Sequence, residues 1–183
     1  METERLILRP VTEEDAERIF ELAKDPDVGP KAGWVPHKNI GETLYVIRNV
    51  LNGPECYAVC LKGDDRPVGI AELMLRTKPD SDELSDECEL GYWLGKPYWG
   101  QGIMPEASME LIRHAFEDLG MSKVWCGHYA DNKQSARVQE KCGFRYHHTE
   151  PNRFVPQFNE YRVGINNLLT KEDWERSQTN RKE

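Results

Sequence analysis

The segment from Cys88 to Phe116 constrains the fold of this chain more than any other. Its first part, Cys88-Glu89-Leu90-Gly91-Tyr92-Trp93-Leu94, is apolar enough to be a buried strand. Tyr98-Trp99-Gly100-Gln101-Gly102 then makes a Gly-x-Gly turn, and Ile103-Met104-Pro105-Glu106-Ala107 leads into an amphipathic helix over about 105–118. Ala107, Leu111, Ile112, Ala115 and Phe116 form its apolar stripe. A strand that turns over two glycines into such a helix needs a sheet with helices packed on it. The turn also leaves several backbone N–H groups unpaired at the positive helix end, a seat for a phosphate or pyrophosphate.

The remaining periodicity supplies the partners of that sheet. Arg5 to Arg9 alternates as a strand ended by Pro10, and Thr12 offers an N-cap that Asp15 reciprocates. Ala16, Ile19, Phe20 and Ala23 mark a first helix closed by Asp25-Pro26. Residues 27–39, with two glycines, two prolines and Trp34, read as an irregular loop. Leu44, Ile47, Val50 and Leu51 give a second helix, stopped by Asn52-Gly53-Pro54. Cys56–Lys62 and Pro67–Arg76 read as strands joined by Gly63-Asp64-Asp65-Arg66, and residues 78–87 as an acidic surface excursion. A strand at Lys123–Tyr129, a helix over roughly 133–142, and strands near 144–149 and 158–168 complete the series. The order predicts one α+β domain over residues 1–183, a mixed sheet with helices on both faces.

Composition narrows the function classes. At 183 residues the chain suffices for one well-buried core. Its net charge of −8, with no block of basic residues, disfavours a nucleic-acid backbone as partner and is compatible with an amine substrate. No apolar run follows Met1 and nothing approaches the ~18 apolar residues of a membrane span, so a cytoplasmic protein is expected. Cys56, Cys60, Cys88, Cys126 and Cys142 are odd in number and lie mostly in strand-like segments, as buried free thiols do. No metal-ligand spacing is present; His147-His148 is adjacent, and adjacent strand residues face opposite ways.

Four segments together resemble a known family. They are Arg5-Leu6-Ile7-Leu8-Arg9-Pro10 with Glu14-Asp15-Ala16, then Leu90-Gly91-Tyr92-Trp93-Leu94 with Tyr98-Trp99-Gly100-Gln101-Gly102 and Glu106-Ala107. Asn132-Lys133-Gln134-Ser135-Ala136 with Lys141-Cys142-Gly143-Phe144 follows, and last Leu168-Leu169-Thr170-Lys171-Glu172-Asp173-Trp174. In this order they resemble the GCN5-related N-acetyltransferases (GNAT), in the branch of the ribosomal-protein N-terminal acetyltransferases. The resemblance implies the fold of that family, a central mixed sheet with two splayed strands, here 88–94 and 123–129, flanked by helices. It implies acetyl-CoA as donor and a primary amine as acceptor, either a protein N-terminus or a small amine. A longer acyl-CoA donor, or a CoA-binding regulatory module without catalysis, are the alternatives.

The family's pyrophosphate motif, Gln/Arg-x-x-Gly-x-Gly/Ala, maps with Trp99 at the Gln/Arg position, Gly102 at the central glycine and Met104 at the last small residue. It implies a diphosphate held on amides from about Gln101 to Ala107, through Ile103 and Glu106, with Gly100 and Gly102 permitting close approach. Backbone groups of Trp93 and Leu94 are expected to pair with the pantetheine arm, and an N–H near Leu94 to polarise the thioester. Asn132 reads either as an N-cap or as a cofactor contact. Ser135 is the expected acid for the departing thiolate, since the family's usual tyrosine is missing from Arg137-Val138-Gln139-Glu140; Tyr129 and Tyr146 stand in reserve. A carboxylate is a natural base for the amine, Glu89 before Glu72, which is otherwise an acceptor-side contact. Cys88 and Cys126 lack a paired histidine and read as inert. Trp34, near Pro36 and His37, and the run Asp80, Asp82, Glu83, Asp86 and Glu87 are candidates for the acceptor side. A monomer or homodimer is expected.

Overall fold

The computed structural model of the chain describes residues 1–78 and 83–180. Asp80 and Asp82 of the acidic run lie outside them. Seven strands form one sheet: β1 (Leu6–Pro10), β2 (Cys56–Leu61), β3 (Pro67–Thr77), β4 (Leu84–Leu94), β5 (Lys123–Tyr129), β6 (Arg145–Val155) and β7 (Glu160–Thr170). Six α-helices accompany them: α1 (Ala16–Ala23), α2 (Gly29–Ala32), α3 (Ile40–Asn49), α4 (Ile103–Arg113), α5 (Lys133–Lys141) and α6 (Lys171–Asn180). The sheet order is β1-β2-β3-β4-β5-β7-β6, antiparallel throughout except for the parallel pair β4 and β5. This is the predicted mixed sheet flanked by helices.

Strand alternation sorts the side chains into two cores. On one face Ala58, Cys60 and Ile70 pack with Ala16, Ile19 and Ala23 of α1 and Ile47 of α3. On the other, Leu6, Leu8, Ala71, Leu73, Leu90 and Val124 meet the α4 stripe of Ala107, Leu111 and Ile112, with Ala115 and Phe116 beyond it. The backbone N–H of Thr12 donates to the Asp15 carboxylate at 2.9 Å, as the capping pattern predicts, and Arg9 grips the same carboxylate at 2.6 Å.

Several elements differ from the sequence expectation. β3 and β4 run eleven residues each, so the polar excursion is shorter than 78–87. Its flanks are strand arms wet on both faces, where alternation of apolar and polar residues is lost. β6 also runs eleven residues, with its residues exposed up to Thr149. α4 starts two residues early and closes in a wider turn, His114–Asp118, in which Leu119 N–H donates to His114 O. α2 and α6 are additional; α6 is mostly polar and is held by Trp174 against Phe116, ring centroids 5.5 Å apart. A register shift between Tyr146 and His148 turns both histidine rings to one side, Nδ1 to Nδ1 at 2.9 Å, against the strand rule applied to them. Among the described residues no group of three or more His, Cys, Asp or Glu could hold a metal ion, and no helix is long and apolar enough to cross a membrane.

The feature that positions the site is a parting of strands. β4 and β5 pair only from Glu87↔Lys123 to Glu89↔Trp125. Beyond that β4 stays on β3 as far as Leu94↔Gly69, while β5 stays on β7 as far as Tyr129↔Gly164. The two therefore diverge.

Candidate active site

A cleft of about 730 Å³ opens where β4 and β5 part. One end is floored by the glycine turn. Gly100 and Gly102 both have φ of 76°, the left-handed region, and Gly102 caps α4. Glu106 N–H bonds Gly102 O at 3.2 Å, and Pro105 has no N–H to give. Among the described residues, the N–H groups of Gln101, Gly102, Ile103 and Met104 have no protein acceptor, so four donors converge there. The expected amide run is shortened accordingly.

Glu106, Ala107 and the Gln101 side chain belong to the fold rather than to the cleft. Glu106 accepts from Thr3 Oγ1 at 2.5 Å, from Arg5 N at 2.9 Å and from Arg5 Nε at 2.7 Å. Burial alone would raise its pKa, but these partners outweigh it and hold the carboxyl below its ordinary value. Arg5 also donates to Gln101 O at 3.0 Å, which ties the back of the turn to β1. Ala107 is wholly buried.

Backbone parity decides which strand groups face the gap. Gly95 N–H bonds Val68 O, and the β3–β4 register is unbroken from there to Glu89. Hydrogen-bonded pairs then fall at Trp93↔Ile70 and Gly91↔Glu72, so the Trp93 backbone is committed to β3. Leu90, Tyr92 and Leu94 present their backbone groups to the gap instead. Leu94 O already accepts the Trp99 indole N–H at 2.7 Å, and Lys31 Nζ lies 4.4 Å from the centre of the Trp99 ring. Trp99, the departure from the family pattern, thus closes the corner between strand and turn. Across the gap Gly127 O, left without a strand partner, accepts from Gln139 Nε2 at 3.1 Å.

On α5, Asn132 acts as the N-cap. Its Oδ1 accepts from Ser135 N at 3.1 Å and its Nδ2 donates to Lys31 O at 3.0 Å, so both ends of the amide are engaged within the protein. Ser135 lines the cleft with its Oγ 2.9 Å from Tyr92 Oη. Tyr129 also lines it, its hydroxyl 2.6 Å from where a Cβ at Gly33 would sit. Tyr146 is exposed on β6 and bonds Thr149, away from the cleft.

The other end is aromatic and acidic. Trp34 lies edge-on to Trp93, centroids 5.7 Å apart, and packs under Gly29. His37 turns away to Thr43. Glu72 and Glu89 share one face of the β3–β4 ladder and both line the cleft. Glu89 is ion-paired with Arg76 at 2.5 Å. Glu72 sits opposite Gly91, where an added Cβ would lie 3.2 Å from its Oε1; the glycine leaves room for the carboxylate. Burial, reinforced by the charge of Glu89, raises the pKa of Glu72, while a bond from the Cys56 thiol opposes the rise. Burial pushes the Cys88 thiol up to about 12 and raises Cys126 too, as expected of core thiols. Sequence reasoning missed Gln139 and Lys31, which sit in no motif, and the Tyr92 hydroxyl, whose segment was read for its backbone.

Residues 5–145 match the family described as acetyltransferase (GNAT) domain. The chain is 28% identical to FsC-acetyl coenzyme A-N(2)-transacetylase of Aspergillus fumigatus, over 97% of this chain and 79% of that protein. It is 25% identical to the uncharacterized N-acetyltransferase p20 of Bacillus licheniformis, over 78% and 80% of the two chains. The crystal structure of a GNAT-family acetyltransferase from Bacillus anthracis shares the fold with a TM-score of 0.82, at 21% identity and over 94% and 98% of the two chains.

Proposed function

The chain belongs to the acetyltransferase (GNAT) domain family, and from that premise we propose that it transfers the acetyl group of acetyl-CoA directly to a primary amine. One observation carries this reading: the cleft joins four unpaired amides at a helix start to the open backbone edge of a parted strand. Those features fit a diphosphate and an amide-bearing arm respectively. When bound, acetyl-CoA supplies an activated acyl group and a thiolate leaving group.

The chain's own residues account for the rest. Gln101 to Met104 hold the diphosphate, and Gly100 and Gly102 let it approach. Leu94 N–H, at the mouth of the gap, is a fixed dipole for the thioester carbonyl. Glu72 takes the proton of the amine; its raised pKa makes it a stronger base than an ordinary carboxylate, and among the described residues no cation pairs with it. This reverses the order drawn from sequence, because Glu89 is paired with Arg76 and is better suited to orient the acceptor. Ser135 gives its O–H to the departing sulfur. Trp34 and Trp93 supply an apolar wall for the body of the amine.

The acceptor is a protein N-terminal amine, as in the ribosomal branch, or a small amine, and the site acts in a monomer or homodimer of a cytoplasmic protein. Exposed Tyr146, Phe154 and Tyr161 on β6 and β7 are where a second copy would pair. The test is a thiol-release screen of acetyl-, propionyl- and succinyl-CoA against polyamines, amino acids, antibiotics and short N-terminal peptides. Turnover with acetyl-CoA on one amine class is expected. Tight CoA binding without thiol release on any amine would defeat the reading.

A further inference from the structure

A buried polar chain runs from the cleft wall into the core. Gln139 on α5 is 1% exposed, and its amide is fully used. Nε2 donates to Gly127 O at 3.1 Å and to Ser135 Oγ at 3.2 Å, and Oε1 accepts from Asn167 Nδ2 at 2.6 Å. The orientation of the amide is forced, since a backbone carbonyl such as Gly127 O only accepts. Both Nε2 protons are therefore spent, one of them on Ser135.

Tyr92 approaches Ser135 from the strand side, its Oη 2.9 Å from Oγ and a longer 3.3 Å from the backbone carbonyl of the same residue, so Oγ is the nearer partner. A phenol is a better donor and a poorer acceptor than an aliphatic hydroxyl. Burial also raises the Tyr92 pKa, so the phenol keeps its proton and donates it. Ser135 Oγ then accepts from two sides. A serine in the first turns of a helix would otherwise bond back to its own helix carbonyls. With both lone pairs taken, its one O–H is left to donate, and the cleft that Ser135 lines is where it can do so.

We infer that Gln139, with Tyr92, is a positioning residue that aims the Ser135 O–H at the sulfur of the donor thioester. The inference rests on the acetyl-CoA reading above. No bond to Ser135 Oγ breaks in this role. As the carbon–sulfur bond opens, its electron pair stays on sulfur, and the aimed O–H stabilises that charge by a hydrogen bond.

The test reads the ionisation of bound CoA rather than turnover. The thiol of CoA held in the full-length protein is titrated by thiolate ultraviolet absorbance, with CoA affinity measured by calorimetry. Ser135→Ala is expected to raise the thiol pKa by about one unit, a tenfold loss of thiolate at a given pH, from one charge-assisted hydrogen bond. Gln139→Met and Tyr92→Phe are each expected to reproduce part of that rise with CoA affinity within about threefold of wild type. Neither should add to it in the Ser135→Ala background. A Gln139→Met rise that persists at full size without the serine overturns the proposal, as does its absence in both variants. If Gln139→Met does not fold, Tyr92→Phe alone and in the serine-free background carries the same decision. Failure of the wild-type protein to bind CoA would instead sink the donor reading itself, before any variant is made.

Discussion

Replacing Glu72 by Gln should slow the enzyme and stabilise the fold in one stroke. Glu72 lies half-buried between Ile70 and Met74 along its strand, with Gly91 opposite and no cation among its charge partners. Its neighbour Glu89 is ion-paired with Arg76 at 2.5 Å; among the described residues Glu72 has no such partner. A carboxylate raised in the folded state binds more protons there than in the unfolded chain. Stability therefore falls as pH rises from the ordinary glutamate value through the raised one, and stays lower above it. Glu72→Gln removes that slope. Each unit of rise corresponds to about 1.4 kcal/mol, and each kcal/mol to about 2–4 °C in Tm for a domain of this size. Loss of a general base costs about 10²–10⁴ in rate, or roughly 2.7–5.5 kcal/mol of transition-state stabilisation. The assay is paired: Tm from pH 5 to 9, and kcat/KM over the same range with the best amine from the screen. The acid limb of the wild-type profile should lie above the ordinary carboxylate range and vanish in the variant, with Tm gained only at the alkaline end. A variant within threefold of wild type at every pH, or one less stable at pH 8, would refute the assignment.

Other consequences follow from the same geometry. Asp15 is stripped of water, which raises its pKa, but Arg9 and Thr12 more than compensate and hold it below its ordinary value. Its stabilising contribution is therefore complete above about pH 4 and lost as pH falls through the lowered value, and Asp15→Asn should flatten that acid loss in denaturant titrations. Glu106→Ala strips the turn of its tie to Thr3 and Arg5; a loss of about 2 kcal/mol in unfolding free energy and weaker CoA binding by calorimetry are expected. Gly100→Ala and Gly102→Ala each impose left-handed strain of about 1–2 kcal/mol. The two should cost about the same, because a Cβ at Gly102 would meet the Arg5 guanidinium at an ordinary contact distance of 3.4 Å and one at Gly100 meets open space.

The glycine-turn end of the cleft, which we propose takes the donor, was legible as a turn in sequence because it is built from main chain. Two glycines at left-handed φ and a helix start leave few conformations, and the residues that need them announce themselves as glycine. Refinement came from parity, which commits the Trp93 backbone to β3 and frees that of Tyr92, a distinction that depends on register and not on residue type. The amide of Pro105 could be struck out by inspection, yet the fate of Glu106 could not. Its partners Thr3 and Arg5 are about a hundred residues away. Strand arms beyond the packed core and the polar helix α6 were hidden for a related reason: burial writes periodicity into a sequence, and these elements are buried on one narrow face or none.

The aromatic and acidic end, which we propose takes the acceptor, obeys a different logic, and this is why the identity of the amine is not written in any local pattern. Its cover, residues 29–34, is a four-residue helix and a tryptophan with little internal hydrogen bonding. It is held in place from outside, by Asn132 on Lys31 O, by Lys31 on Gln134 and by Arg162 on Pro30 O. Every one of those partners belongs to α5, its cap or β7, elements that also build the donor side. The position of Trp34 against Trp93 is therefore set by long-range contacts that a change on either side would disturb. A loop anchored in this way can alter its acceptor by exchanging one or two anchors while the diphosphate seat stays intact. On that reading, specificity for the proposed amine is to be sought in the anchors of the loop rather than in the glycine turn.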